Sequence, residues 1–312
     1  MTVTVFMGTP EFAVPSLLAL LELGHEVAAV YTREDQPSGR GRRVEPPAVK
    51  LAAQAHGLEI RQPATLRDPQ VLAELAALQP DLIVVVAFGL LLPRGVLELP
   101  RFACINVHGS LLPRHRGAAP IAAAILAGDR HAGVSIMLMD QGVDTGPVLS
   151  RCALPLAPDD TTGSLTAKLA GIGARLLTET LPDWIAGALT PEAQDEALAT
   201  YAPRIEPRAG EIDWHAPGEE IARKVRAYQP WPSAFTTWRG DRLKLLRVRF
   251  EPGAEGPAPG TVCGDGSCVG VVTPTGTVWL EEVQLAGRRA LPIGDFLRGA
   301  QGFIGANLAS AG

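Results

Sequence analysis

The opening stretch of the chain alternates between short apolar runs and one longer segment of helical period. Val3 to Met7 and His25 to Tyr31 are mostly apolar runs of strand length, whereas Ala13 to Leu23 places apolar residues at helical spacing and ends at Gly24. This pattern predicts a strand, a helix and a second strand. Two strands joined by a helix are parallel neighbours with a right-handed crossover, so we expect an α/β domain with a parallel sheet.

The same alternation continues to about residue 190. The run Leu82 to Leu92 is the longest apolar one, and it is too short to cross a bilayer. Further strands are predicted at 81–88, 104–108 and 133–139, and further helices at 47–56, 69–78, 120–126 and 162–189. Helices that alternate with buried strands predict a doubly wound, mostly parallel sheet for this part of the chain.

After about residue 200 the apolar runs become short and are separated by Gly and Pro. Strand candidates lie at 243–250, 260–263, 268–273 and 277–285. This spacing is typical of an antiparallel domain and is compatible with a small OB-like barrel. We therefore predict an α/β domain at 1–189, a linker at 190–208 and a smaller all-β, barrel-like domain at 209–312.

Charge and cysteine content narrow the function classes. The formal net charge is −5, and residues 209–312 hold 11 basic and 11 acidic side chains, so nucleic acid can be held only by a local patch. The first residues contain neither a basic segment nor a long apolar one, and the cysteines are few. We therefore expect a cytoplasmic protein with reduced thiols. Cys263 and Cys268 are close in sequence, but no His lies near them, so we expect no metal site.

Common nucleotide and zinc motifs are absent from the sequence. The turn after the first strand reads GTPE at Gly8 to Glu11 rather than GxGxxG, and neither GxxxxGK[ST] nor HExxH occurs. Dinucleotide binding, NTP hydrolysis and zinc hydrolysis therefore lack their usual support. A nicotinamide-dependent oxidoreductase stays an alternative for the α/β part, and tight binding of NADH would favour it.

The segment Asn106 to Pro113 is the most informative for chemistry. Asn106 and His108 are two residues apart at the end of a predicted strand, so both are expected on one face, at the carboxyl edge where open α/β sheets bind ligands. The loop Asp140 to Gly146 follows another buried strand and is therefore expected to leave the same edge. Asp144 could then face His108.

An amide, an imidazole and a carboxylate suit acyl transfer without a protein nucleophile. Asn106 can donate to a developing oxyanion, and His108 can donate or shuttle a proton. Asp144 can orient His108 or accept a proton through water. The alternative is that the three side chains only cap loops at strand ends, and spacing alone does not separate the two interpretations.

Motifs along most of the chain carry a resemblance. They are MGTPEF at 7–12, PSGRGRR at 37–43, VVAFG at 85–89, INVHGSLLPR at 105–114, RGAAP at 116–120, DQGVDTG at 140–146, IDW at 212–214 and PWP at 230–232. Their order and content resemble the folate-dependent formyltransferase family from residue 7 to about 262, and the last 30 residues match weakly.

The resemblance implies that the formyl group of 10-formyltetrahydrofolate is transferred to the α-amino group of methionine on initiator tRNA, for translation initiation and without a metal. It implies catalytic roles for Asn106, His108 and Asp144. It also assigns the folate pocket to Val86, Phe88, Gly89, Leu90, Ser110, Leu111, Leu112, Pro113 and Asp140.

Arg40, Arg42 and Arg43 form the densest basic patch of an acidic chain. Their loop follows the second predicted strand and should lie near the carboxyl edge of the sheet. We predict that these arginines bind the tRNA through phosphates, and the alternative is a solvated charged loop. The β domain would help to hold the tRNA. We expect no membrane association and infer no obligatory protein partner.

Three other functions are compatible with the sequence. A formyltransferase acting on a sugar nucleotide (a UDP-amino sugar) has a similar two-domain plan, and the arginine loop argues against it. A glycinamide ribonucleotide formyltransferase would leave about 100 residues of β domain unexplained. A non-catalytic nucleic-acid-binding module would not bind folate.

Overall fold

The chain folds as two compact units. The computed structural model describes residues 2–38, 43–253, 256–265 and 268–309. The first unit comprises 1–120, 131–155 and 166–202, and the second comprises 121–130, 156–165 and 203–312. The predicted division into 1–189, 190–208 and 209–312 stays a prediction.

The predicted strands and helices are present, together with elements that the pattern did not indicate. The strands before residue 203 are β1 (Val3–Gly8), β2 (Glu26–Tyr31), β3 (Gln36–Ser38), β4 (Arg43–Glu45), β5 (Ile60–Arg61), β6 (Leu82–Val86), β7 (Cys104–His108), β8 (Arg116–Gly117), β9 (His131–Leu138), β10 (Val148–Pro155) and β11 (Tyr201–Ala202). Those after it are β12 (Ala234–Trp238), β13 (Asp241–Pro252), β14 (Val262–Gly264), β15 (Val269–Thr273), β16 (Gly276–Leu285) and β17 (Leu291–Pro292). The helices are α1 (Val14–Glu22), α2 (Ala48–Ala55), α3 (Pro69–Ala77), α4 (Arg94–Leu97), α5 (Pro120–Ala127), α6 (Thr162–Ile185), α7 (Gly218–Ala227) and α8 (Ile293–Leu297).

A seven-stranded sheet organises the first unit in the order β10-β9-β7-β6-β1-β2-β5. Five neighbouring strands are parallel, namely β7, β6, β1, β2 and β5. Strand β9 is antiparallel to both of its neighbours, β7 and β10. Because the chain moves outward from β1 in both directions, the topological switch point lies between β1 and β6. The predicted doubly wound, mostly parallel sheet is confirmed.

The middle of this sheet is covered on both faces. β6 reads LIVVV and β7 reads CINVH, and every position of both strands is buried. Central parallel strands are typically continuous apolar runs for this reason. Asn106 and His108 are therefore exceptions, since they are polar and only 8% and 6% exposed. Buried polar groups need hydrogen-bond partners, and those partners define the candidate site.

The second unit is built on an antiparallel sheet in the order β12-β13-β16-β15-β14, with β17 beside β16. Its core includes Trp214, Leu243 and Phe303. The predicted antiparallel β domain is confirmed, and it also contains helix α7, which we did not predict. The signal for α7 is present in the sequence, since Ile221 and Val225 are four residues apart and both are buried. No helix in the described ranges is long and apolar enough to cross a bilayer.

Candidate active site

Asn106, His108 and Asp144 lie together in the first unit. Asn106 Nδ2 is 3.3 Å from Asp144 Oδ1, and His108 Nδ1 is 3.6 Å from Asp144 Oδ2. The two-residue spacing on β7 therefore does place both side chains beside one carboxylate, as predicted. The two polar side chains that interrupt the buried strand therefore share one partner, Asp144.

The Asp144 carboxylate is held from outside its own loop. Its Oδ2 accepts a hydrogen bond from the backbone N–H of Gly117 at 2.8 Å. The backbone of Asp144 has φ +54°, the left-handed region that residues other than glycine seldom adopt, although Asp tolerates it better than most. The carboxylate thus lies between a backbone donor, an amide donor and an imidazole.

One nitrogen of His108 is committed to a backbone carbonyl. His108 Nε2 is 3.0 Å from the carbonyl oxygen of His115. A carbonyl can only accept, so Nε2 carries a proton in either charge state, and Nδ1 is the nitrogen that can gain or lose one. That nitrogen faces Asp144. The backbone N–H of His115 in turn donates to Thr200 Oγ1 at 2.8 Å.

The expected route of the Asp140–Gly146 loop is wrong. β9 runs antiparallel to β7, and the backbone N–H of Met139 donates to the carbonyl of Cys104, at the beginning of β7. The loop therefore leaves the sheet at the opposite end from His108. Asp144 reaches His108 because the chain folds back before it enters β10.

Residues 192–202, predicted as linker, contact this site extensively. β11 pairs in parallel with β8, the short strand that contains Arg116. Arg116 is fully buried, and its guanidinium donates to both carboxylate oxygens of Glu196, at 2.9 and 2.7 Å. These bonds lower the pKa of Glu196. The RGAAP motif drew attention to Arg116 in the sequence. No local pattern indicated its partner Glu196, which lies 80 residues later.

Four of the predicted folate-pocket residues lie at the topological switch point. Val86 ends β6, and the carbonyl of Phe88 accepts from Thr9 Oγ1 at 2.9 Å, which joins the ends of β1 and β6. The side chains of Val86 and Phe88 are buried, Leu90 is partly buried and Gly89 is exposed with φ +83°. The backbone of Gly89 is therefore accessible at this edge.

The predicted pocket residues after β7 differ in exposure. Ser110 is buried and donates to the carbonyl of Arg114 at 2.6 Å. Leu112 is buried against Met137 and Val148. Leu111 and Pro113 are partly exposed.

Asp140 and the arginines complete the predicted residues. Asp140 is exposed, and its Oδ1 accepts from Gly142 N at 2.9 Å and Thr145 Oγ1 at 2.7 Å, which shapes its own loop. Arg40 and Arg42 lie outside the described residues, and the backbone of Arg43 begins β4. No cluster of three or more His, Cys, Asp or Glu suited to a metal occurs in the part of the chain that the structure describes.

Comparison with known proteins identifies the family. The model of the formyl transferase family matches residues 1–181, and that of the formyl transferase C-terminal domain matches 204–301. Methionyl-tRNA formyltransferase of Methylococcus capsulatus is 47% identical over 294 residues, 94% of this chain and 95% of the relative. That of Citrifermentans bemidjiense is 44% identical over 99% of this chain and 98% of the relative.

The chain belongs to the methionyl-tRNA formyltransferase family. As a member it is a formyl-transferring enzyme, so the resemblance stated from the motifs is confirmed. Fold alone would not separate it from sugar formyltransferases. The N-formyltransferase from Helicobacter canadensis, solved with folinic acid and dTDP-3-aminofucose, has a TM-score of 0.66 at 16% identity, covering 90% of this chain and 98% of that one. The identity to methionyl-tRNA formyltransferases supports the main function predicted from the sequence over the sugar-nucleotide alternative.

Proposed function

We propose that the protein transfers the formyl group of 10-formyltetrahydrofolate to the α-amino group of methionine on initiator tRNA. The products are N-formylmethionyl-tRNA and tetrahydrofolate. The observation that carries the residue assignment is that buried Asn106 and His108 both face the partly buried carboxylate of Asp144. Membership of the family supports the reaction, and this geometry supports the assignment of the three side chains that carry it out.

Asn106 and His108 stabilise the oxyanion. Attack of an amine on a formamide carbon builds negative charge on the formyl oxygen, and preorganised N–H donors lower the barrier to that charge. The amide nitrogen of Asn106 has two N–H groups, of which one points at Asp144. The other donates to the oxyanion, together with Nδ1–H of protonated His108.

Asp144 and His108 move the proton that balances the reaction. A C–N bond to methionine forms, the C–N bond to the donor breaks, and one proton passes from the methionine amine to the departing nitrogen. Asp144, directly or through a water that it holds, accepts the proton from the amine. Protonated His108 gives its Nδ1 proton to the departing nitrogen and regains one from Asp144, while Nε2 stays bound to the His115 carbonyl.

The folate donor binds at the switch point between β1 and β6. A flat ring with polar edges requires apolar walls and a few backbone hydrogen bonds. The backbone of 86–90 offers such hydrogen bonds, and Leu111 and Pro113 remain partly exposed to contact the ring. The resemblance adds the loop of Asp140 to this pocket. That the similar fold from Helicobacter canadensis was solved with folinic acid supports a folate as the donor.

Arg40, Arg42 and Arg43 bind the tRNA phosphates, and the second unit helps to hold the tRNA. An acidic chain needs a local basic site for this, since the net charge of −5 repels nucleic acid. Initiator tRNA acts in translation, so the enzyme works in the cytoplasm.

The decisive experiment compares acceptors. Purified protein and 10-formyltetrahydrofolate are incubated with methionyl initiator tRNA, a UDP-amino sugar or glycinamide ribonucleotide. We expect formylation of the tRNA alone. Faster formylation of either small molecule would refute the proposed acceptor, and no transfer to any of them would refute the activity.

A further inference from the structure

The side-chain amide of Gln194 joins the catalytic loop to a buried arginine. Gln194 Nε2 donates to the carbonyls of Asp144 and Gly146, at 2.9 and 2.7 Å. Its Oε1 accepts from Nε and Nη2 of Arg116, at 3.0 and 2.9 Å. One side chain therefore contacts the backbone on both sides of the turn at Thr145.

The orientation of this amide is determined by its partners. A guanidinium only donates and a backbone carbonyl only accepts, so the oxygen of Gln194 must face Arg116 and the nitrogen must face the loop. Arg116 is in turn fixed by its bidentate contact with Glu196 and is fully buried. The loop is thus anchored to a rigid charged pair.

Asp144 needs such an anchor. Its backbone adopts φ +54°, a conformation that is uncommon outside glycine and that surrounding contacts help to maintain. Its carboxylate must lie between Gly117, Asn106 and His108, none of which belongs to its loop. Within the loop, Asp140 Oδ1 accepts hydrogen bonds from Gly142 and Thr145. The carbonyl of Asp144 itself accepts its hydrogen bond from Gln194.

We propose that Gln194 is a positioning residue for catalysis, which holds the backbone of Asp144 so that its carboxylate faces His108 and Asn106. This inference rests on the proposed function. Displacement of a reacting group by about 1 Å can lower a rate by about 10²-fold, so the effect should appear in kcat. Most of the proposed donor contacts, at 86–90, 111 and 113, lie outside the loop that Gln194 holds, so donor binding should change less than kcat.

The test uses two substitutions at the same site. Gln194→Glu keeps the acceptor for Arg116 and places a carboxylate against two carbonyls. Gln194→Met keeps the length of the side chain and removes all four hydrogen bonds without adding charge. We expect each to lower kcat by about 10-fold to 10²-fold. The KM for tRNA and the Kd of the unreactive analogue 5-formyltetrahydrofolate should stay within about twofold. Gln70→Glu, the same change at an exposed helical residue, should leave kcat unchanged.

A double-mutant cycle separates positioning from general damage. If Gln194 acts through Asp144, adding Gln194→Met to Asp144→Asn should slow the enzyme by less than about twofold further. Multiplicative losses, wild-type kcat in Gln194→Met, or parallel loss of analogue binding would overturn the inference. If Gln194→Glu does not fold, Gln194→Met decides.

The same measurements test the proposed function separately. A wild-type enzyme that does not formylate methionyl-tRNA, or an Asp144→Asn variant with wild-type kcat, would overturn both proposals. A slow Asp144→Asn variant beside an unimpaired Gln194→Met variant would overturn only the role of Gln194.

Discussion

Replacement of Asp144 by Asn preserves the shape of the side chain and removes its charge. The carboxylate now accepts from Gly117 N at 2.8 Å and from Asn106 Nδ2 at 3.3 Å, one bond on each oxygen. An amide accepts on one atom only. If its oxygen keeps the shorter bond, its NH₂ faces the NH₂ of Asn106, donor against donor. Loss of one charge-assisted bond and a poorly satisfied donor should lower the free energy of unfolding by about 1–3 kcal/mol.

The effect on catalysis should be larger than the effect on stability. Asn cannot accept the amine proton, so we expect Asp144→Asn to lower kcat by about 10²-fold to 10⁴-fold, with little change in donor affinity. Initial rates of methionyl-tRNA formylation and urea unfolding curves measure the two quantities. Asp68→Asn is the matched control, because it removes the same charge at an exposed helix cap where Asn caps equally well. A kcat for Asp144→Asn within about twofold of the control would refute the assignment.

Further expectations concern the oxyanion donors, the basic loop and a buried thiol. Asn106→Ala and His108→Ala should each lower kcat by about 10²-fold or more while donor Kd changes little, and near-wild-type turnover of the His108 variant would exclude the mechanism. Changing the three arginines of 39–43 to Ala should raise the KM for tRNA. It should also flatten the slope of log K for tRNA binding against log salt by roughly 0.7–0.9 for each phosphate that is no longer neutralised. An unchanged slope would mean that the loop is only solvated. Burial raises the pKa of Cys104 to about 12. Iodoacetamide at neutral pH should therefore label exposed Cys268 and leave Cys104 unlabelled until the protein is denatured. Peptide mass spectrometry measures the labelling of each cysteine.

The candidate site shows where sequence reasoning succeeds and where it stops. The alternation of side chains along a strand placed Asn106 and His108 on one face, and the structure agrees because that period is a property of the extended backbone. The direction of β9 was not predictable in this way. A buried strand has the same apolar pattern whether it runs parallel or antiparallel. The predicted edge from which the loop leaves the sheet was therefore wrong. The predicted proximity of Asp144 to His108 was correct.

The sequence by itself determined the order of elements, the doubly wound sheet, the antiparallel second unit and the family, because period, turn residues and motifs are local in the chain. Only the tertiary structure decided which nitrogen of His108 bonds the His115 carbonyl. It also decided that Gln194 bonds the carbonyl of Asp144 and that Thr200 bonds the N–H of His115. The side-chain hydrogen bonds of Gln194 and Thr200 join residues between 48 and 85 positions apart. A hydrogen bond at such separation depends on how the chain returns to the sheet, and a single polar residue in an irregular segment has no period from which its partner could be inferred.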